Sequence, residues 1–424
     1  MIRALYTIAF YLAVPLVLLR LLLRGRKAPA YRKRWGERFG FVPRLKADKV
    51  IWVHSVSVGE TLAAVPLIKQ LQQRYPNAQL VVTTMTPTGS ERVVASFGDS
   101  VYHVYAPYDL PDVVARFLKR VQPDVLVIME TELWPNLVLG CAKRDIPVVV
   151  ANARLSQKSA DGYAKMPALM QSLLANISAV AAQHSDDGQR FLDLGLPEKS
   201  LSITGNIKFD LLLTDDVRQK ANDLKQQWRG DNQRPVWLVA STHRGEDEVI
   251  LDSFQELLKY HDDLLLVLVP RHPERFDEVA QLCESRKLTV TRRSEAVAPA
   301  DSQVLLGDTM GELLAFCGAS DVVFMGGSLV PVGGHNLIEP AAWGVPVLSG
   351  SHLFNFAEAS RLLLSAEGMV VCDNSEQIAA EMESLLNDPQ RRVAMGEAAQ
   401  AVAEQNRGAL QRLMTVIEDT SPSP

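Results

Sequence analysis

Phe324 to Leu348 reads FMGGSLVPVGGHNLIEPAAWGVPVL, and the fold hangs on this stretch. Its pattern is strand, glycine loop, short helix, strand. Val322 to Met325 closes a buried strand, and Gly326, Gly327, Gly333 and Gly334 permit positive φ and a close approach of backbone to a ligand. A helix is predicted from Asn336 to Trp343. A loop that feeds a helix in this way presents unpaired N–H groups and the positive end of a dipole, which suit a phosphate. Glu339, one turn in, can accept hydrogen bonds from ribose hydroxyls. A tight strand-to-helix turn explains the glycines equally well. His335, Asn336 and Glu339 clustered at the loop's exit favour a nucleotide site.

Working outward from that loop, strands and polar clusters alternate from Val236 onward. Trp237 to Ala240 precedes Ser241-Thr242-His243-Arg244-Gly245-Glu246, and Leu264 to Val269 precedes Pro270-Arg271-His272-Pro273-Glu274-Arg275. Val304 to Leu306 precedes Gly307-Asp308-Thr309-Met310-Gly311-Glu312. Capping and solvation account for His272 and Arg275, whereas Arg271 can neutralise a phosphate. Thr309 and Gly311 have room to present backbone N–H groups to the same anion.

A second alternation runs from Lys49 to Leu213, with strands at Val50–Val53, Leu80–Thr84, Val125–Met129, Pro147–Val150, Ala179–Ala182 and Leu201–Ile203. It argues for a parallel, doubly wound sheet with ligands beyond the carboxyl ends of the strands. Glu60 follows the first strand at a helix start, and Ser57 and Glu60 also have the spacing of a capping box. Glu130 follows the strand ending at Met129, and Arg154 and Lys208 lie just past two others. Two acids and two bases on one rim are unusual together. The polar stretch from Thr214 to Pro235 is read as the linker between two domains, 49–213 and 236–424.

At the amino-terminal end, residues 1–24 carry the uncharged run LYTIAFYLAVPLVLL and read as a membrane anchor. A single span takes about 20 residues, so this run is short unless Arg20 snorkels. Residues 25–48 carry Arg26, Lys27, Arg32, Lys33, Arg34 and Arg38, interleaved with Tyr31, Trp35 and Phe39. Such residues set topology, and they also attract anionic headgroups or a phosphorylated amphiphile. With 424 residues, 47% apolar and 22% charged, and a formal net charge of -5, the chain is an ordinary α/β protein with no electrostatic reason to bind nucleic acid. Its four cysteines, Cys141, Cys283, Cys317 and Cys372, lack metal or redox spacing and read as reduced core thiols of a cytoplasmic body. The terminal SPSP reads as loose. There is no GxxxxGK[ST] loop and no D-x-D, so neither a phosphate-loop hydrolase nor a metal-held sugar diphosphate is expected. A donor with one phosphate needs no metal.

The runs HSVSVGET, TMTPTGSER, METELWPN, ANARLS, GNIKFD, VPRHPERF, GDTMGEL and GGSLVPVGGHNLIE, with RKRWGERFG before them, resemble the Kdo (3-deoxy-D-manno-octulosonic acid) transferase family over essentially the whole chain. The resemblance implies a GT-B architecture, two Rossmann-like domains facing a cleft. It implies inverting transfer of Kdo from CMP-Kdo to a lipid A precursor in lipopolysaccharide biosynthesis, at the cytoplasmic face of a Gram-negative inner membrane. In that family the glutamate of HSxSxGE acts as base, here Glu60, and Glu130 and Lys208 support the transition state. CMP contacts fall on Pro270, Arg271, Met310, Gly311, Glu312, Asn336 and Glu339; Ser57, Gly59, His272, Gly333, Gly334 and His335 stand beside these as further candidates. No cofactor or metal is expected; the implied partners are CMP-Kdo, the lipid A precursor and membrane phospholipid. A GT-B enzyme using a UDP-sugar, such as an epimerase, and a membrane-tethered nucleotide-binding scaffold remain as rival readings.

Overall fold

The computed structural model describes residues 2–26, 28–230, 233–295, 298–299 and 302–421. Lys27 of the basic cluster, residues 231–232 of the expected linker and residues 422–424 of the SPSP end lie outside them. The chain forms two compact units, Met1–Asp210 with Gly408–Pro424, and Leu211–Arg407.

Unit 1 opens with the apolar helix α1 (Ile2–Arg24) and is built on β1 (Val50–His54), β2 (Gln79–Thr84), β3 (Tyr102–Tyr105), β4 (Val125–Met129), β5 (Val148–Ala153), β6 (Ala179–Ala182) and β7 (Leu201–Ile203). These form one parallel sheet in the order β3-β2-β1-β4-β5-β6-β7. Side chains alternate across the sheet. Val50, Trp52, Leu126 and Ile128 pack with Phe117 on one face, and Ile51, Val53, Val125 and Val127 pack with Leu67 and Leu71 on the other. With both faces covered, the strands read as continuous apolar runs. The edge strand β3, YHVY, lacks such a run and has no counterpart among the expected strands.

The closing helix Ala409–Thr420 departs from the sequence reading, which placed everything from 236 to 424 in the second domain. Ala409, Leu413, Met414 and Ile417 join the core of unit 1. Gly408 makes the turn with φ +73, and its N–H and that of Leu410 donate to the carboxylate of Asp210 at 2.8 and 2.7 Å. Apolar spacing identifies the helix face; it does not say which core receives it.

Unit 2 is a second parallel sheet, β8 (Val236–Thr242), β9 (Leu265–Pro270), β10 (Val290–Arg292), β11 (Val304–Leu306), β12 (Val322–Met325), β13 (Val347–Ser349) and β14 (Met369–Val371). Its order is β10-β11-β9-β8-β12-β13-β14. The stretch expected to be a linker holds a helix, Asp215–Arg229, that belongs to this unit. Ala221, Leu224 and Trp228 are its buried stripe, and Trp228 meets the ring of Phe316 at 5.2 Å. Three apolar residues at helical spacing suffice to dock an otherwise polar helix.

Candidate functional site

In unit 1 the strand order reverses between β1 and β4, and in an open α/β sheet that switch point opens a crevice beyond the carboxyl ends of the strands. Off β1, Ser57 caps the helix Val58–Arg74. Glu60 N–H donates to Ser57 Oγ at 3.1 Å, and the Glu60 carboxylate accepts from the N–H groups of Ser57 at 3.2 Å and Val56 at 2.8 Å. The capping box is therefore complete, and Glu60 is 6% exposed. Each carboxylate oxygen keeps a second lone pair for another partner. Ser57 and Gly59 are exposed beside it.

Off β4, Glu130 takes φ +55, and its carboxylate lies 2.5 Å from Lys208 Nζ, which follows β7 in the chain. Two asparagines arrange the approach of Lys208. Asn152, also left-handed at φ +53, accepts from Ile207 N–H at 3.0 Å, and Asn206 Oδ1 accepts from Lys208 N–H at 3.0 Å. Thr131 Oγ donates to the carbonyl of Arg154, drawing the loops after β4 and β5 together.

Two further residues on this rim stand inside quoted motifs, yet their roles are not legible there. His54 is fully buried, with Nδ1 2.9 Å from Thr83 Oγ and its ring edge-on to Trp134 at 4.7 Å; burial pushes its pKa down to about 3. Glu132 accepts from Trp134 Nε1 at 2.8 Å. Burial first, then the charges of Glu60 and Glu130, push its carboxyl upward against that bond. The acidic spacing in METELWPN was the signal available for Glu132.

In unit 2 a cavity of about 280 Å³ is lined by Pro270, Arg271, Met310, Gly311, His335, Asn336 and Glu339, together with Ser241, Val269, Thr309, Leu313, Phe316, Met325 and Phe356. Its walls come from the ends of β8, β9 and β12 and from the segment after β11. Asn336 Nδ2 donates to Glu339 Oε1 at 3.1 Å, and burial pushes the Glu339 carboxyl upward. His335 Nε2 lies 2.9 Å from His243 Nε2 with the two rings stacked at 5.2 Å, and His272 meets His243 edge-on at the same separation. Burial, then the charges of His243, Arg271 and His272, push His335 down to about 4.

Glu312, His272, Gly333 and Gly334 are not among the lining residues. Glu312 is engaged by Lys220 at 2.8 Å and Arg293 at 3.0 Å and accepts from Thr309 Oγ. Burial pushes its carboxyl up, but those three bonds outweigh it and hold the pKa at about 2. A side chain at Gly333 would strike Asn355 and Phe354, and one at Gly334 would strike Leu353. These glycines admit the chain's own 352–356 segment.

The N–H groups of Gly327, Ser328 and Leu329, at the start of the glycine loop, are not open to a phosphate. Glu246, fully buried, fills that position with its own carboxylate. It accepts from the N–H groups of Gly327 at 2.7 Å, Ser328 and Leu329 at 2.9 Å, and His243 at 2.8 Å. Gly326 donates to Ala240 O, and a side chain there would come within 2.8 Å of Ser241 O. The helix expected from Asn336 to Trp343 is Ile338–Ala342, little more than one turn, with Pro340 inside and Asn336 Oδ1 accepting from Ile338 N–H. So short a helix has little macrodipole; among the lining residues Arg271 is the cation suited to an anion, with the Thr309–Gly311 backbone beside it.

Comparison with known proteins bears on what such a pair of units does. Residues 33–211 match the family model described as 3-deoxy-D-manno-octulosonic-acid transferase (kdotransferase), and residues 236–402 match glycosyl transferases group 1. The 3-deoxy-D-manno-octulosonic acid transferase of Haemophilus influenzae is 47% identical over 420 residues, 98% of this chain and 98% of that one. The chain belongs to the Kdo transferase family. A second Kdo transferase, from Bordetella pertussis, is 34% identical over 432 residues, covering 98% of this chain and 99% of its own. Among solved structures, the UDP-GlcNAc 2-epimerase of Neisseria meningitidis is 17% identical, covers 88% of this chain and 100% of its own, and superposes with a TM-score of 0.52; that likeness is one of fold. As a Kdo transferase family member with two parallel α/β units and a group 1 glycosyl transferase domain, the chain is a GT-B-type glycosyltransferase.

Proposed function

We propose that this Kdo transferase moves Kdo from CMP-Kdo to a sugar hydroxyl of a lipid A precursor in lipopolysaccharide biosynthesis, inverting the anomeric carbon. The cavity of unit 2 carries the reading, because its size, about 280 Å³, and its lining of Arg271, Asn336 and Glu339 suit a nucleoside monophosphate. It sits near the lower end of small-molecule sites, ~300–1,000 Å³. Arg271 neutralises the single phosphate without a metal, and Glu339 accepts from the ribose hydroxyls. Those two roles follow from the chemistry of the side chains.

Glu60 acts as general base. It takes the proton of the acceptor hydroxyl as that oxygen bonds to the anomeric carbon; the bond from that carbon to the phosphate oxygen breaks, and CMP leaves with the electron pair. Lys208, held by Glu130, offsets negative charge between the Kdo carboxylate and the departing phosphate. The exposed Arg24, Arg26, Arg32 and Lys33 attract phosphates of the acceptor and of the inner-membrane phospholipid, keeping the catalytic body at the cytoplasmic face. Arg38 takes no part, being buried with its guanidinium on Met85 O at 3.0 Å and over the Tyr105 ring, and Arg34 is paired with Glu37 at 2.7 Å.

The test is mass spectrometry of a tetraacyl lipid A precursor incubated with the protein and CMP-Kdo. A mass gain of one or more Kdo units is expected. CMP binding without a mass gain overturns the assignment in favour of a scaffold, and competition by UDP in place of CMP moves it to a UDP-sugar enzyme.

A further inference from the structure

Helix α1 is the one described helix long and apolar enough to cross a membrane, yet one side of it is bound along unit 1. Arg3, Tyr6, Thr7, Phe10, Val14 and Val17 share a face at helical spacing. Arg3 Nε donates to Asn136 Oδ1 at 3.0 Å, Asn136 Nδ2 donates to Thr7 Oγ at 3.1 Å, and Tyr6 Oη donates to Asp109 at 3.0 Å. Phe10, Val14 and Val17 pack against Tyr108, Leu110 and Val113. From the flank of that face, Tyr11 Oη donates to Asp112 at 2.5 Å.

The receiving groups are fixed parts of the fold. Asp109 is 2% exposed and accepts from the N–H groups of Asn136 at 3.1 Å and Leu137 at 2.7 Å, capping the helix Pro135–Ala142. Asn136, which ends the METELWPN run, also donates to Asp109 O at 2.8 Å. The docked length from Arg3 to Val17 is roughly 21 Å at ~1.5 Å per residue, against a hydrocarbon core of about 30 Å. A helix bound lengthwise over that distance has too little left to cross. Were it to leave unit 1 and span, Tyr11 would sit near the bilayer centre with its hydroxyl unpaired, which hydrocarbon penalises.

The opposite face is Leu5, Ile8, Leu12, Leu16, Leu19 and Leu23, all exposed, with Leu12 at 74%. Arg20, Arg24 and Arg26 flank its carboxyl end, exposed and suited to anionic headgroups. We propose that α1 is an in-plane anchor, docked on unit 1 through Asp109, Asp112 and Asn136, with its leucine face in the acyl region of a single leaflet. The inference is independent of the donor and the catalytic base.

The experiment places paired cysteines in the full chain, whose native cysteines are all buried. Thr7→Cys with Asn136→Cys is oxidised to a disulfide. Tyr11→Cys with Asp112→Cys, at exposed positions that spare the core, is bridged with a short bis-maleimide. Both are carried out on vesicles of phosphatidylethanolamine and phosphatidylglycerol, followed by flotation. The expected result is cross-linking of most of the vesicle-bound chain in at least one pair, with the cross-linked form floating as well as the uncross-linked. Loss of both cross-links on vesicles means the helix leaves unit 1 to span. A cross-linked form that no longer floats means the leucine face covers something other than lipid, such as a second copy. Either outcome overturns the proposal.

Discussion

Lys208 Nζ lies 2.5 Å from Glu130 Oε1, and the residue supplying that carboxylate holds its backbone in the left-handed region at φ +55. A non-glycine residue there is uncommon and costs conformational energy. The two side chains are 36% and 25% exposed, and pairs so placed stabilise a fold by only about 0–1 kcal/mol. Stability therefore does not explain the arrangement, whereas positioning a cation does. Lys208→Ala and Glu130→Gln are each expected to lower turnover by about 100-fold, the scale of losing one electrostatic stabiliser, while moving the thermal midpoint little. The double variant should lose less than the product of the two. Additive losses, or a midpoint that falls with activity, would make the pair structural.

Glu60 is both cap and proposed base, and two substitutions separate the roles. Glu60→Gln keeps a carbonyl oxygen for one of the two N–H groups, Val56 or Ser57, which bond to different oxygens of the native carboxylate, and removes the basic group. Glu60→Ala removes both. Each should lower turnover by roughly 100- to 10,000-fold with CMP-Kdo affinity nearly intact. The Ala variant should also lose about 1 kcal/mol of stability through the cap. Measured kcat and donor affinity decide it: a Gln variant with near-normal turnover restricts Glu60 to capping.

Glu246→Gln tests whether the glycine loop is held from within. The native carboxylate accepts at both oxygens, from His243 and Gly327 on one and Ser328 and Leu329 on the other. A glutamine must turn an NH₂ group toward one of those donor pairs. Stranding buried donors costs about 1–3 kcal/mol each, so urea denaturation of unit 2 should shift by at least ~2 kcal/mol. CMP binding should weaken along with it, since His335 and Asn336 leave this loop. An unchanged midpoint would show the carboxylate to be dispensable.

Acid should weaken the fold before its carboxylates are neutralised. Burial holds His54 at about 3 and His335 at about 4, against 6.5 for an ordinary histidine. Below 6.5 the unfolded chain takes up protons that these folded sites refuse. Their contribution is therefore complete above about pH 6.5 and is lost as pH falls toward 4 and then 3. Each site steepens the dependence by up to ~1.4 kcal/mol per pH unit. Calorimetric midpoints at pH 7, 6 and 5 should fall in turn, and His54→Gln should flatten the fall. A pH-independent midpoint across that window contradicts this account.

Alternating apolar runs and helical stripes, from Val125–Met129 to Val322–Met325, determined the two doubly wound sheets, because strands buried on both faces must be apolar throughout. The order of those runs also put Glu60, Glu130 and Arg271 just beyond strand ends, where such sheets open, and Asn336 at the exit of the loop that follows Met325. What the residues alone could not settle was satisfaction. The free-looking N–H groups of Gly327, Ser328 and Leu329 are taken by Glu246, Glu312 is taken by Lys220 and Arg293, and the closing helix from Ala409 packs back into unit 1. Local spacing records which groups a residue carries and which face it presents. Which partner answers them is set by long-range packing, and only the tertiary structure decided that.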